Sequence, residues 1–210
     1  MRWISDLFTP SATAKVMTYR SYYDREDYYS SMVTENTVEK LLALWQGLEN
    51  AQMTPEVSIK FRDIPFDISP QDIIMKLGRP NFVFKNQHRL KGHKVYFYRL
   101  RLDHLRSIVQ LHFLDEKFFY ARYIIKDFNE QETRTLREAY AVKYFLHEQG
   151  LPVKDAAGNL LTMDVGLFLN IRYLSGRTEL IDKLRERWVY QYEKQTDHEL
   201  RRMQVLKDLI

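Results

Sequence analysis

Six histidines, His88, His93, His104, His112, His147 and His198, are the first candidates for chemistry. No two stand four apart, the helical spacing that places two imidazoles on one zinc ion. A metal site would need His93 or His104 to meet His112 across a sheet, with a carboxylate such as Asp103 or Asp115. The plainer expectation is a set of exposed polar positions on a sheet whose other face is buried. Nucleophilic catalysis has less to work with: there is no cysteine and no Gly-x-Ser-x-Gly elbow. Gly78, Gly92, Gly150, Gly158, Gly166 and Gly176 are isolated, so no glycine-rich loop can cradle a phosphate. The expectation is a protein that is not an enzyme, with no cofactor and no metal.

Carboxylates cluster twice. Asp24, Glu26 and Asp27 lie among tyrosines and read as a solvated helix face, or as a sugar- or metal-facing group. Asp115-Glu116 stands where a turn between two strands is expected, and acidic turn residues are ordinary there.

Cations are the strongest local signal. Lys85, Arg89, Lys91, Lys94, Arg99, Arg101 and Arg106 face a single acid, Asp103, with Tyr96, Phe97 and Tyr98 interleaved. Strand alternation puts Tyr96, Tyr98 and Leu100 on one face and Phe97, Arg99 and Arg101 on the other. Cations beside aromatics on a sheet suit single-stranded nucleic acid or an acidic peptide. The alternative is a charged edge hairpin that discourages edge-to-edge pairing. The charge is local: residues 61–128 hold 13 basic and 7 acidic residues, whereas 1–60 hold 6 and 8 and 129–210 hold 13 of each. The basic pI near 9.1 therefore describes the middle of the chain and not the whole surface.

The elements that must carry these residues are legible. With 45% hydrophobic residues, the chain is too apolar to be disordered and can bury a sizeable core. Ser69–Leu77 is a capped helix stopped by Gly78 and Pro80. Lys94–Leu102, Ser107–Leu114 and Lys117–Lys126 form an antiparallel meander. Earlier, Ala12–Tyr29 is helical, a second helix starts at Thr34 or Asn36, and Met53–Pro65 is a strand with Val57, Ile59 and Phe61 on one face. Later, Asn129–Gln149 is a helix, and Leu160–Asp164 pairs with Gly166–Leu174. From Thr178 a long helix runs to the end, with Ile181, Leu184, Trp188, Tyr192, Met203, Leu206 and Ile210 near one face. Three parts are expected: a helical segment over 1–60, a helix plus β-meander over 61–128, and 129–210, the last two able to form one compact domain.

Ile68–Pro80 (Ile-Ser-Pro-Gln-Asp-Ile-Ile-Met-Lys-Leu-Gly-Arg-Pro), Lys94–Tyr98 and Val109–Lys117 together resemble the repeat of the small outer-membrane assembly lipoproteins and β-lactamase-inhibitor proteins. In that family a helix ending in Leu-Gly-x-Pro leads into a curved antiparallel sheet. The likeness covers about 60 residues and implies protein–protein binding. The family's lipid-bearing cysteine has no counterpart here, so the resemblance implies architecture and partner binding only.

The resulting expectation is an α+β protein: an antiparallel sheet packed by short helices, with an N-terminal helical segment and a long C-terminal helix. Its function is that of a non-enzymatic adaptor or assembly subunit, binding another protein or a second copy of itself through Lys91, Lys94, Arg99, Arg101, Met203, Leu206 and Ile210. A nucleic-acid-binding module using residues 85–106 is the alternative. With Asp6 inside the first apolar patch and no long apolar run, neither a secretory signal nor a membrane span is expected, and the location is cytoplasmic.

Overall fold

The computed structural model describes residues 24–46, 51–54, 57–86, 89–102, 104–144 and 151–208, without the side chains of Gln191 and of residues 195–208. The chain divides into two compact units, Met1–Thr34 and Glu35–Ile210. In the first, helix α1 (Arg25–Ser30) begins where the Asp24 carboxylate accepts the Glu26 N–H at 3.1 Å. Asp24 thus serves as a helix cap, satisfying an otherwise orphaned donor. The rest of the helix expected over Ala12–Tyr29 lies outside the described residues.

The second unit is built on one eight-stranded sheet. Its strands are β1 (Gln52–Thr54), β2 (Phe82–Asn86), β3 (His93–Leu102), β4 (Leu105–Leu114), β5 (Lys117–Ile125), β6 (Val153–Asp155), β7 (Leu160–Val165) and β8 (Leu169–Leu174). They lie in the order β1-β6-β7-β8-β5-β4-β3-β2. The expected meander forms, with β3 against β4 and β4 against β5. The expectation of an antiparallel sheet needs correction, because the sheet is mixed: β1 joins β6 in parallel, Gln52 opposite Val153. Parallel pairing needs a long crossover between the partners, and here the intervening chain supplies the whole body of the sheet.

Strand β2 occupies a stretch with no clear alternation in sequence, and pairs with β3 as an edge. Of the strand expected over Met53–Pro65, Met53 and Thr54 belong to β1, while residues 61–64 make a tight reversal instead. Phe61 and Ile64 bridge around Arg62 and Asp63, which take φ of 48° and 63°. Ile59, Phe61 and Ile64 are still buried. The Ile59 N–H donates to the Asp155 carboxylate at 2.8 Å, a side chain doing the work of a strand neighbour.

Helices cover both faces. Helix α3 (Pro70–Leu77) opens with a reciprocal capping box between Ser69 and Asp72. It closes at Gly78, whose φ of 80° favours glycine. Helix α4 (Glu130–Lys143) starts on the same device, with Asn129 and Glu132. With the loop 57–68 they bury the first face: Val109, Leu111, Phe113, Phe118, Tyr123, Ile171 and Tyr173. On the second face, α2 (Val38–Leu42) and the final helix α5 (Thr178–Asp208) enclose a smaller cluster of Leu41, Leu90, Leu114, Phe119 and Leu184. Helix α2 starts three residues later than Thr34, since Thr37 accepts the Lys40 N–H at 3.4 Å. Among the described residues, no helix is long and apolar enough to cross a membrane.

Candidate functional site

The cations that sequence reasoning groups together are dispersed by the sheet. Lys91 lies in the turn before β3, and its carbonyl accepts from Arg187 of α5 at 3.0 Å. Lys94 shares a face with Tyr96, by alternation, and pairs with Glu116. Arg99 and Arg101 sit near the far end of β3 on the opposite face. At about 3.4 Å per residue, seven steps from Lys94 to Arg101 span about 24 Å. Lys91 and Lys94 therefore do not share a site with Arg99 and Arg101.

The residue that does join the two arginines is Arg106, which lies directly opposite Arg101 across the β3–β4 ladder. Arg99, Arg101 and Arg106 are all exposed and all on one face. The hairpin end that carries them is fixed to the body. His104 Nε2 lies 2.8 Å from Glu132 Oε1, while Glu132 Oε2 accepts the Asn129 N–H at 2.7 Å. The hydrogen bond to His104 is the main reason the Glu132 carboxyl titrates below its usual range.

Behind this basic end, the same face carries a buried polar strip. His93 and His112 do meet across the sheet, Nε2 to Nδ1 at 3.0 Å. They are 1% and 0% exposed, which corrects the expectation of solvated histidines. Among the described residues no group of three His, Asp or Glu could hold an ion. Donor logic gives the tautomers. Asn86 Nδ2–H lies 3.3 Å from His93 Nδ1, so the His93 proton is on Nε2 and donates to His112 Nδ1. His112 Nε2–H then points to Gln110 Oε1 at 3.4 Å. Burial pushes the His93 pKa down to about 4, and His112 lies well below the ordinary imidazole value for the same reason, with His93 and Arg122 adding to it. Both rings are neutral, and each donates and accepts one bond.

Next along the strip, Arg122 Nη1 lies 3.1 and 3.2 Å from the two oxygens of Glu35, and its Nε donates to Asn170 Oδ1 at 2.9 Å. Both members of the ion pair are almost fully buried. Glu35 and Arg122 stand 87 positions apart, so the pair ties two distant segments of the chain together.

Two cavities border other parts of this unit. One, of about 230 Å³, is lined by Asp67, Asp115, Lys117, Arg177 and Lys183 beside α5. Asp67 and Asp115 are paired in place, Arg177 with Asp67 at 2.7 Å and Arg187 with Asp115 at 2.7 Å. The other lies at the start of α4, between Phe128, Arg134, Arg137 and Val165. Neither is lined by His93 or His112.

Helix α5 offers a different surface. Its apolar stripe is fully buried at Leu184, but Trp188 is 40% exposed and Tyr192, stacked on it at 5.9 Å, is 61% exposed. Val189 and Tyr190 are exposed too, but one and two residues on from Trp188 they turn to other sides of the helix, with Lys194 Nζ 4.7 Å from the Tyr190 ring centre. Sequence reasoning placed the partner surface further along, at Met203, Leu206 and Ile210. The side chains of Met203 and Leu206 are not among those described, and Ile210 lies outside the described residues.

No family model, curated protein or solved structure matches this chain.

Proposed function

We propose that this chain is a non-enzymatic adaptor or assembly subunit, which captures another protein or a second copy of itself on the exposed stripe of α5. The single observation that carries the reading is the burial gradient along one helix face, from Leu184 at 0% to Trp188 at 40%. A stripe that docks its first turns and then continues into solvent leaves aromatic area for a partner to cover. Burying a large apolar side chain contributes about 1.5–3 kcal/mol, and tryptophan and tyrosine dominate the energetics of known interfaces. An amphipathic helix laid into a groove is an established recognition mode. The resemblance of Ile68–Lys117 to a family of protein-binding repeats supports the same class of function.

The test is Trp188→Ser combined with Tyr192→Ser, the two stacked rings of the stripe. Trp188 is 40% exposed, so its truncation also gives up covered apolar area and costs about 1–2 kcal/mol, while circular dichroism should show the variant still folded at the assay temperature. Light scattering after size exclusion should show the wild type self-associating, or pull-down should recover a defined partner, and the variant should lose either. A monomeric wild type that captures nothing would overturn the proposal. So would a variant that associates normally.

A further inference from the structure

We propose that Arg99, Arg101 and Arg106 form a docking surface for the phosphate backbone of nucleic acid. The three guanidiniums project from one face of one hairpin end. Arg99 and Arg101 are two residues apart, about 7 Å along the strand, and Arg106 faces Arg101 across it at about 5 Å. Like charges directly opposite each other on a ladder destabilise it. Nothing described in this protein relieves the repulsion: among the described residues no carboxylate pairs with any of the three. Glu132, which anchors the hairpin tip, has one oxygen committed to His104 and the other to its own helix cap. An anion that bridged Arg101 and Arg106 would turn the repulsion into charge-assisted, bidentate hydrogen bonding, the geometry in which guanidinium is superior to ammonium.

Rigidity supports this assignment. The tip is tied to α4, and the base of the hairpin continues into the fully hydrogen-bonded centre of the sheet. The cations are therefore presented on a fixed platform and lose little freedom when an anion binds. A polyphosphate suits the ladder better than one ion, because it brings successive charges along a line. Contacts of this kind position a strand without reading its bases. Binding is expected to be independent of sequence and steeply dependent on salt.

The experiment uses the whole chain with a fluorescent twelve-nucleotide single strand and its duplex, titrated by anisotropy across salt concentrations. Each phosphate contact contributes about 0.7 to the logarithmic salt slope for single strands and about 0.9 for duplex. The variant carrying Arg99→Gln, Arg101→Gln and Arg106→Gln should lose about two units of slope on the single strand and nearly three on duplex. The larger loss identifies nothing by itself; the form bound more tightly by wild type is the source of the phosphate. Lys91→Gln with Lys94→Gln should keep the slope. Any of these results would overturn the proposal: no wild-type binding at about 50 mM salt, where such contacts are strong; an unchanged slope in the arginine variant; or poly-glutamate of equal charge competing as well as oligonucleotide. The arginine variant should also melt no lower than wild type, since only repulsion is removed. A clear fall in melting temperature would mean that the protein itself uses these guanidiniums, and would refute the assignment.

Discussion

Acid should destabilise this protein earlier than its carboxylates alone require, because the His93–His112 pair is folded as neutral rings. The sign follows from linkage. An unfolded histidine binds its proton near pH 6.5, whereas folded His93 does so only near pH 4. Between those values the unfolded chain holds a proton that the folded chain does not, so stability falls as pH falls through this window. Each pH unit is worth about 1.4 kcal/mol per group, and His93 alone accounts for about 3 kcal/mol between pH 6.5 and 4. His112 is shifted in the same direction and adds to the loss. Against a typical total of about 5–15 kcal/mol, this is a large fraction. Urea unfolding followed by tryptophan fluorescence at pH 7.5, 6.5, 5.5 and 4.5 measures it. His93→Gln should flatten the slope between pH 6.5 and about 5, where carboxylates contribute little. Nitrogen NMR of the imidazoles gives the direct check: both rings should stay neutral, with the proton on Nε2, at pH 5.5 in the folded protein. Titration of either ring near pH 6.5 in the native state would refute the argument, as would equal slopes for wild type and variant.

Two further outcomes follow from the packing. Glu35→Ala strands the buried Arg122 guanidinium and should cost about 3–5 kcal/mol by denaturant titration, while adding Arg122→Met should recover part of that loss. At Gly176 an added Cβ would lie 2.1 Å from backbone atoms of Gly158. Neither main chain can yield cheaply, so Gly176→Ala should cost about 3 kcal/mol or more, whereas Gly166→Ala, which meets nothing within 4 Å, should shift thermal stability by less than about 0.5 kcal/mol.

What the sequence by itself determined are the features closed within a few residues. Ser69 and Asp72 announce a helix start and Gly78 its end, and Asn129 with Glu132 does the same for α4. The alternation of β3 correctly separates Tyr96 and Tyr98 from Phe97, Arg99 and Arg101, because the period of a strand is a property of the backbone itself. The basic character of the hairpin was legible for the same reason. Which of its cations converge was not. Lys94 and Arg101 are close in sequence yet at opposite ends of a ten-residue strand, while Arg101 and Arg106 meet only because the chain turns back between them.

Only the tertiary structure decided the rest. Glu35 and Arg122 stand 87 positions apart, and a glutamate ahead of a helix carries no local mark of its partner. Gly158 and Gly176 look like ordinary loop glycines until their main chains come together. The buried histidines were misread because polar residues on a strand usually face water. Here a second layer, in which Leu41, Leu90 and Leu184 cluster with Leu114, Phe119 and Tyr120, covers one end of that face, and the donors and acceptors of Asn86 and Gln110 make dry imidazoles affordable. The parallel β1–β6 pair has the same origin: three-residue strands hold too little local pattern to be seen, and β1 pairs with a strand about a hundred residues away. Local geometry is written residue by residue, whereas burial and long-range pairing depend on which surfaces the folded chain brings together.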